Sequence, residues 1–320
     1  MDYTDGAVEE MIRYARENKL TSLDLSHRGL VGIPSAVFDF TRLERLDLSS
    51  NFIGSVPSAI RRLSSLMWLD LSKNPGIAVP EEICKLSNLT RLDLADNYLG
   101  QVPERIGDLR TLTSLSLRNN GLKIVPKGIR EMRNLTDLEL GGNSLDSLPE
   151  WIKELEKLTS LGLGHSILGI VPEWIGQLAN LTSLDIGYNN IGSVPNWIGG
   201  LSCLTSLDLR GNNLMSIPEW VAEMRKLASL NLGYNNLEIV PAWISELRNL
   251  TELDLGANNL RSLPEWIGEV RGLTSLHLGW NKLGRVPEWI RDLRNLTSLG
   301  LRGTGLGWVP DGIREMRNLA

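Results

Sequence analysis

Apolar residues fall on a strict 23-residue lattice. Leu20, Leu43, Leu66 and Leu89 open successive units, and the register holds without insertion to Leu296, giving thirteen units across 20–318. With the opening leucine as position 1, apolar residues occupy positions 1, 4, 6, 11, 14, 18 and 21. Positions 4 and 6 alternate with polar residues, the period of a short strand with one buried face. Strands joined by crossovers form a parallel sheet. Position 15 is proline in every unit, from Pro34 to Pro310, and Pro75 is the only other proline. A residue with fixed φ and no N–H suits the start of a short helical segment. Positions 18 and 21 lie three apart and share its inward face. Position 9 is asparagine in ten units, the exceptions being Arg28, Ser166 and Thr304. Its side chain both donates and accepts, so it can satisfy the backbone of a buried turn, and stacked units predict a ladder of such residues. Each buried apolar side chain contributes roughly 1.5–3 kcal/mol, realised only between neighbouring units.

The stretch "LTSLDLRGNNLMSIPEW" (204–220) carries the pattern L-x-x-L-x-L-x-x-N-x-L. With its 23-residue period and its I/V/L-P step, it resembles the intracellular class of leucine-rich repeat proteins, similar to Ras-group-related plant proteins, Roco-type proteins and bacterial repeat proteins. The resemblance covers 20–318. It implies an α/β solenoid: a leucine-rich repeat horseshoe with a parallel concave sheet and short helical or 3-10 convex segments. It also implies a binding role that leaves the partner open.

Residues 1–19 read as an N-terminal capping helix, with Val8, Met11, Ile12 and Ala15 on one face. Residues 319–320 read as the start of a truncated further repeat. No polar cap follows, which predicts a weak edge and self-association through the C-terminal end. Two units break the pattern. In "KNPGIAVP", Gly76 takes the apolar position 11 and a backbone shift is needed for Ile77 to fill the slot. In the seventh unit, Ser166 replaces the ladder asparagine and is too short for all its bonds.

Charge and chemistry narrow the function. A net charge of −5 gives no basic footprint for nucleic acid. No 18-residue apolar run predicts a membrane span, and the acidic residues of the first helix disfavour anionic lipid. Two cysteines, Cys84 and Cys203, favour a reducing, cytoplasmic setting. Five "NLT" sequons, at Asn88, Asn134, Asn180, Asn249 and Asn295, share one repeat position and read as repeat consensus. His27, His165 and His277 stand five or six units apart, on the order of 25–30 Å at strand spacing, so no two can share a metal site or triad. Neither cysteine has a histidine in reach, and no phosphate-binding glycine loop occurs. The chain therefore reads as non-enzymatic, with no cofactor and no metal.

Position 5 points out of the sheet and carries Asp24, Asp47, Asp70, Asp93, Glu139, Asp185, Asp208 and Asp254. These fit an arginine-compensated solvated face, a dock for a basic segment or, least well because one carboxylate per strand makes a poor cage, a divalent-metal site. Position 8 faces the same way and carries Tyr188, Tyr234 and Trp280 in alternate units, with Gly211, Ala257 and Gly303 between. Exposed Tyr and Trp near Arg are the usual anchors of a protein interface. The candidate partner-binding set is Tyr188, Tyr234, Trp280, Arg210, Asp185, Asp208, Asp254 and His277, and a secondary set is Trp68, Arg91, Arg118 and Glu139. Seven further tryptophans, Trp151, Trp174, Trp197, Trp220, Trp243, Trp266 and Trp289, occupy position 17 in consecutive units and read as rings packed in a row between convex segments, with a second binding surface as the alternative. The favoured function is a non-enzymatic scaffold or recognition module that takes a protein or peptide in the concave face. The alternatives are a sensing or regulatory segment of a larger enzyme or switch, such as a Roco-type GTPase, and a designed array without natural partner.

Overall fold

The computed structural model describes residues 6–306, 311–314, 316, 318 and 319. Pro310 and Ala320, named above, lie outside them. The chain divides into two compact units, 1–162 and 163–320.

The first unit opens with α1 (Gly6–Glu17), whose Val8, Ile12 and Ala15 are buried while Met11 is half-buried. Three-residue strands follow: β1 (Ser22–Asp24), β2 (Arg45–Asp47), β3 (Trp68–Asp70), β4 (Arg91–Asp93), β5 (Ser114–Ser116), β6 (Asp137–Glu139) and β7 (Ser160–Gly162). Each pairs in parallel with the next in equivalent register, as Leu23 with Leu46 and Leu138 with Leu161. The second unit repeats the scheme with β8 (Ser183–Asp185), β9 (Ser206–Asp208), β10 (Ser229–Asn231), β11 (Glu252–Asp254), β12 (Ser275–His277) and β13 (Ser298–Gly300). Each unit is thus an open solenoid of parallel strands on one side and short 3-10 segments on the other, as the alternation at positions 4 and 6 predicts. Position 15 differs slightly from expectation. The proline precedes the helical segment as its N-cap, and its carbonyl accepts the first 3-10 hydrogen bond, as from Ile198 N to Pro195 O at 3.2 Å. Positions 1, 4, 6 and 18 are buried in repeats 2–12, while Leu20 at the first repeat is 40% exposed and Leu299 and Leu301 of the last are half-buried. Ile77 does fill the slot beside Gly76: it is 3% exposed, and Gly76 makes the shift at φ +85°.

Three ladders bind neighbouring repeats. The first is built by the position-9 asparagines. Asn212 Oδ1 accepts from Asn189 N (3.0 Å) and Ile191 N (3.4 Å) of the preceding repeat. Its Nδ2 donates to Ile186 O, Leu209 O and Arg210 O. Ser166 is as buried as these asparagines, but its Oγ donates only to Gly164 O, at 3.5 Å. The second ladder comes from the sequon asparagines. Asn88, Asn134, Asn249 and Asn295 donate Nδ2 to carbonyls of Ser64, Arg110, Arg225 and Arg271, 24 residues back. The sequon threonines form the third, Thr90, Thr136, Thr251 and Thr297 donating to carbonyls 23 residues back. The "NLT" tripeptide is therefore explained by two inter-repeat hydrogen bonds flanking a buried leucine.

Candidate functional site

One backbone feature governs position 8. All its residues, from His27 through Tyr188, Tyr234 and Trp280 to Gly303, lie in the left-handed region, with φ from 49° (Ala257) to 71° (Gly303). Gly, Asn, Asp and His enter this region readily; large aromatics do so at a cost of order 1 kcal/mol. Tyr188, Tyr234 and Trp280 hold φ of 54°, 54° and 58° without being buried, and Tyr234 and Trp280 are each 58% exposed.

The rings lean along the sheet. A Cβ at Gly211 would overlap the Tyr188 ring, and one at Gly303 would overlap the Trp280 ring. The small residue after each of these aromatics is thus the floor on which its ring lies. Tyr188 stacks on His165 (centroids 4.1 Å, 18°) and meets Tyr234 at 6.1 Å and 46°. The Arg210 guanidinium sits 5.8 Å from the Tyr188 ring, with Nε 3.1 Å from Asp208 Oδ2. That Nε is buried and not aligned to hydrogen-bond, so the contact is an ion pair. Trp280 stands apart, with Arg302 5.6 Å from its ring, and His277 Nδ1 lies 3.9 Å from Asp254 Oδ2. The arrangement is therefore a compact His165–Tyr188–Tyr234–Arg210–Asp208 cluster, with a Trp280–Arg302 pair further along the same unit.

His165 and Arg302 join these rings beyond the candidates that the residue pattern named. The repeat register carries the signal for both: His165 is the position-8 residue one repeat before Tyr188, and Arg302 stands to Trp280 as Arg210 stands to Tyr188. In the first unit Trp68 and Arg91 of the secondary set are register partners on adjacent strands. Trp68 instead takes Arg45 over its ring at 3.5 Å, and the Glu139 carboxylate lies over Gly162.

The position-5 aspartates have a structural task. In Asp24, Asp47, Asp70, Asp93, Asp185, Asp208 and Asp254, Oδ1 accepts the backbone N–H two residues on, at 2.8–3.0 Å. Asn231 does the same for Gly233. This reach explains aspartate at the position; in Asp208 the other oxygen, Oδ2, accepts from Asn231 Nδ2 at 3.2 Å and pairs with Arg210. Burial pushes the carboxyls of Asp70, Asp93 and Asp208 above the usual range, with a lesser push from the neighbouring aspartate. Asp24 is held low by its hydrogen bonds to Ser26.

A raised acid favours the folded state as pH falls from neutral toward the ordinary carboxylate value of about 4, because the folded chain takes up the proton first. Asp208→Asn keeps the Oδ1 acceptor and removes the titration. The wild type should therefore gain more stability than this variant between neutral pH and pH ~4, measured by urea melts across that window. Parallel pH profiles would disprove the assignment.

On the 3-10 side, the position-17 tryptophans are half-buried. The Trp197, Trp220 and Trp289 rings lie against Gly176, Gly199 and Gly268 of the preceding repeat, with ring atoms 3.1–3.5 Å from where a Cβ would stand. Trp220 Nε1 donates to Asn196 Oδ1 at 3.1 Å, whereas Trp289 Nε1 is buried without a hydrogen-bond partner. Both cysteines are free. Burial pushes the Cys84 thiol up to about 11, and Cys203 Sγ lies 3.7 Å from Lys226 Nζ. Among the described residues, no group of three His, Cys, Asp or Glu side chains is placed to hold a metal. No described helix is long and apolar enough to cross a membrane.

Two family models match the chain. One described as a leucine-rich repeat region covers 59–163, and one described as leucine rich repeat covers 18–75, 165–214 and 218–260. Comparison with the curated proteins gives no match. Among solved structures, a leucine-rich repeat protein of Leptospira interrogans is 29% identical (TM-score 0.64), covering 96% of this chain and 97% of that one. An internalin, inlF, of Listeria monocytogenes is 22% identical (TM-score 0.73), covering 97% and 92%, a likeness of fold. The plant peptide hormone receptor RGFR1, solved in complex with RGF2, is 31% identical (TM-score 0.58) over 94% of this chain. The match takes in 54% of that receptor chain, so this chain spans about half its length.

Proposed function

The chain is a leucine-rich repeat protein, and on that footing we propose that it is a non-enzymatic recognition module whose strand face in the second unit docks a protein or peptide. The observation that carries the reading is the set of exposed aromatics held in left-handed backbone. Tyr234 and Trp280, each 58% exposed, gain little from burial and bear a conformational cost, so stability alone gives no reason for them, whereas Tyr188 beside them is half-buried and stacked on His165. Around them Arg210, Asp185, Asp208, Asp254 and His277, with His165, supply polar partners. A structural neighbour that is a peptide hormone receptor supports a peptide-sized partner. The histidines are too dispersed to form a catalytic set, which supports a binding role over an enzymatic one. Two free cysteines support a reducing, cytoplasmic setting.

The test is selection of displayed random peptides on the full chain, followed by titration of the selected peptides against variants. Tyr234→Ala and Trp280→Ala should each weaken binding about thirtyfold, the loss of an anchor contributing about 2 kcal/mol. Trp174→Phe, on the 3-10 side, should leave it unchanged. Selected peptides that bind all three variants equally would place the site elsewhere.

A further inference from the structure

Asp208, Arg210 and Tyr188 form a closed set on the strand face. Asp208 Oδ1 accepts from Arg210 N at 3.0 Å, Arg210 Nε lies 3.1 Å from Asp208 Oδ2, and the guanidinium stands 5.8 Å from the Tyr188 ring. The arginine is at position 7 of the repeat that follows the tyrosine. Arg302 has the same register relation to Trp280 and stands 5.6 Å from its ring. Two repeats on from Tyr188 and Asp208, the tyrosine and the aspartate recur as Tyr234 and Asp254. Asp254 Oδ1 makes the same turn bond, accepting from Gly256 N at 2.8 Å. Position 7 of that repeat is this glycine, so the chain itself supplies no guanidinium to Tyr234 and Asp254 from that register.

The surroundings of Tyr234 keep the shape of the complete set. Arg210 lies over Gly187, with Cγ 3.0 Å from where a Cβ would stand. The counterpart of Gly187 beside Tyr234 is Gly233, and the atoms nearest its Cβ position are Asp254 Oδ1 and Asn231 Oδ1, at 3.2 and 3.3 Å. The Asp254 side chain is 35% exposed against 19% for Asp208, and its Oδ2 has His277 Nδ1 at 3.9 Å, beyond hydrogen-bond distance. Glu252, exposed on the same strand, accepts from Ser229 Oγ at 3.0 Å and adds a second carboxylate. Positions 2–8 of repeats 10–12, which are residues 228–234, 251–257 and 274–280, contain these two acids and neither lysine nor arginine; Lys282 follows the turn, at position 10. On the far side Trp280 leans over Gly303, away from Tyr234, so the interval at Ala257 stays open.

We propose that the partner docked on this face presents an arginine, whose guanidinium enters between Tyr234 and Asp254 as Arg210 stands between Tyr188 and Asp208. The assignment rests on the strand face of the second unit being the docking surface, and it names the chemistry recognised there. A carboxylate and a ring face together attract a cation, the one by charge and the other by its quadrupole. Arginine suits the place better than lysine. Its planar group lies on a ring while its edge donates two parallel hydrogen bonds to a carboxylate, whereas an ammonium is a compact point charge without that fork. The partner is thus a peptide or loop with an exposed arginine at its centre of contact.

The probes are peptides selected from a random display library on the full chain, then remade with each arginine replaced in turn by citrulline, which keeps the side-chain shape and loses the charge. Fluorescence anisotropy reads the affinities. One citrulline replacement should weaken binding about tenfold or more, and lysine at the same place about threefold. Asp254→Asn keeps the Oδ1 turn bond. It should lose about tenfold for the arginine peptide, while the citrulline peptide binds this variant and the wild type within about twofold. Gly256→Arg supplies the guanidinium from the chain itself, at a backbone outside the left-handed region, and should exclude the arginine peptide by about tenfold or more, with a urea melt to confirm the fold. Glu173→Gln removes one charge from the 3-10 side and should change nothing beyond about twofold. Selected peptides that lose affinity to Tyr234→Ala yet tolerate citrulline everywhere would overturn the arginine assignment and leave the strand-face reading standing. Equal losses of the arginine and citrulline peptides on Asp254→Asn would do the same. A library that yields no binder, or binders indifferent to both Tyr234→Ala and Trp280→Ala, would overturn the two together.

Discussion

Asn212→Leu is expected to destabilise the second unit by about 4 kcal/mol, a large share of a typical folding free energy. The side chain is fully buried and makes five hydrogen bonds, two accepted and three donated. Leucine has the same branched skeleton and is somewhat larger, so the loss is not a cavity. The cost is the N–H groups of Asn189 and Ile191 and the carbonyl of Ile186 left in the core without partners, each contributing about 1–3 kcal/mol of desolvation. A urea melt of the variant measures it. A loss under about 1.5 kcal/mol would mean that the repeats relax apart enough to admit water, and that the ladder is weaker than its geometry.

Trp289→Ala is expected to cost about 2 kcal/mol, and Trp280→Ala less than about 0.5 kcal/mol. Trp289 is half-buried, with its ring against Gly268, so truncation opens a gap between neighbouring 3-10 segments. The figure sits below that for a fully buried ring because part of the ring already faces water. Its Nε1 is enclosed without a partner, so Trp289→Phe removes an unmet donor and should recover most of the loss. Trp280 has the reverse profile: it is exposed and held at φ 58°, and alanine relieves crowding there. Denaturant midpoints for the three variants decide the matter. If Trp280→Ala were the more damaging, the strand-face ring would belong to the core and its role as an anchor would fall.

The repeat spacing made the fold legible. Period-two apolar positions located the strands, although position 6 falls just past each strand's end, and the missing internal rung at Ser166 was visible as a break in a regular series. The site was legible only in part. Tyr188, Tyr234 and Trp280 could be placed on one face by counting, because side-chain direction in a repeat depends only on position. Their grouping could not be read that way. Backbone spacing puts Tyr188 and Tyr234 about 10 Å apart, yet the rings meet at 6.1 Å because Tyr188 leans over Gly211. That lean follows from the left-handed φ at position 8, which no pattern of apolar residues encodes. The role of the aspartates was hidden for a similar reason. An outward carboxylate in a strand looks like a surface charge until the following turn presents its N–H to Oδ1.

The asparagine ladder also fixes the increments in which such a chain can change length. The Asn212 side chain bonds only to its own repeat and the one before it, and the Asn235 side chain repeats those contacts one step on, accepting from Asn212 N at 2.9 Å. Any two such rungs are interchangeable, so excising a whole 23-residue module rejoins surfaces that already fit each other. Losing one residue inside a module instead moves an asparagine off its carbonyls and turns leucines outward. Length in the second unit is quantised, and a gene encoding it can grow or shrink by unequal crossing-over between repeats while the protein at each step still closes its core.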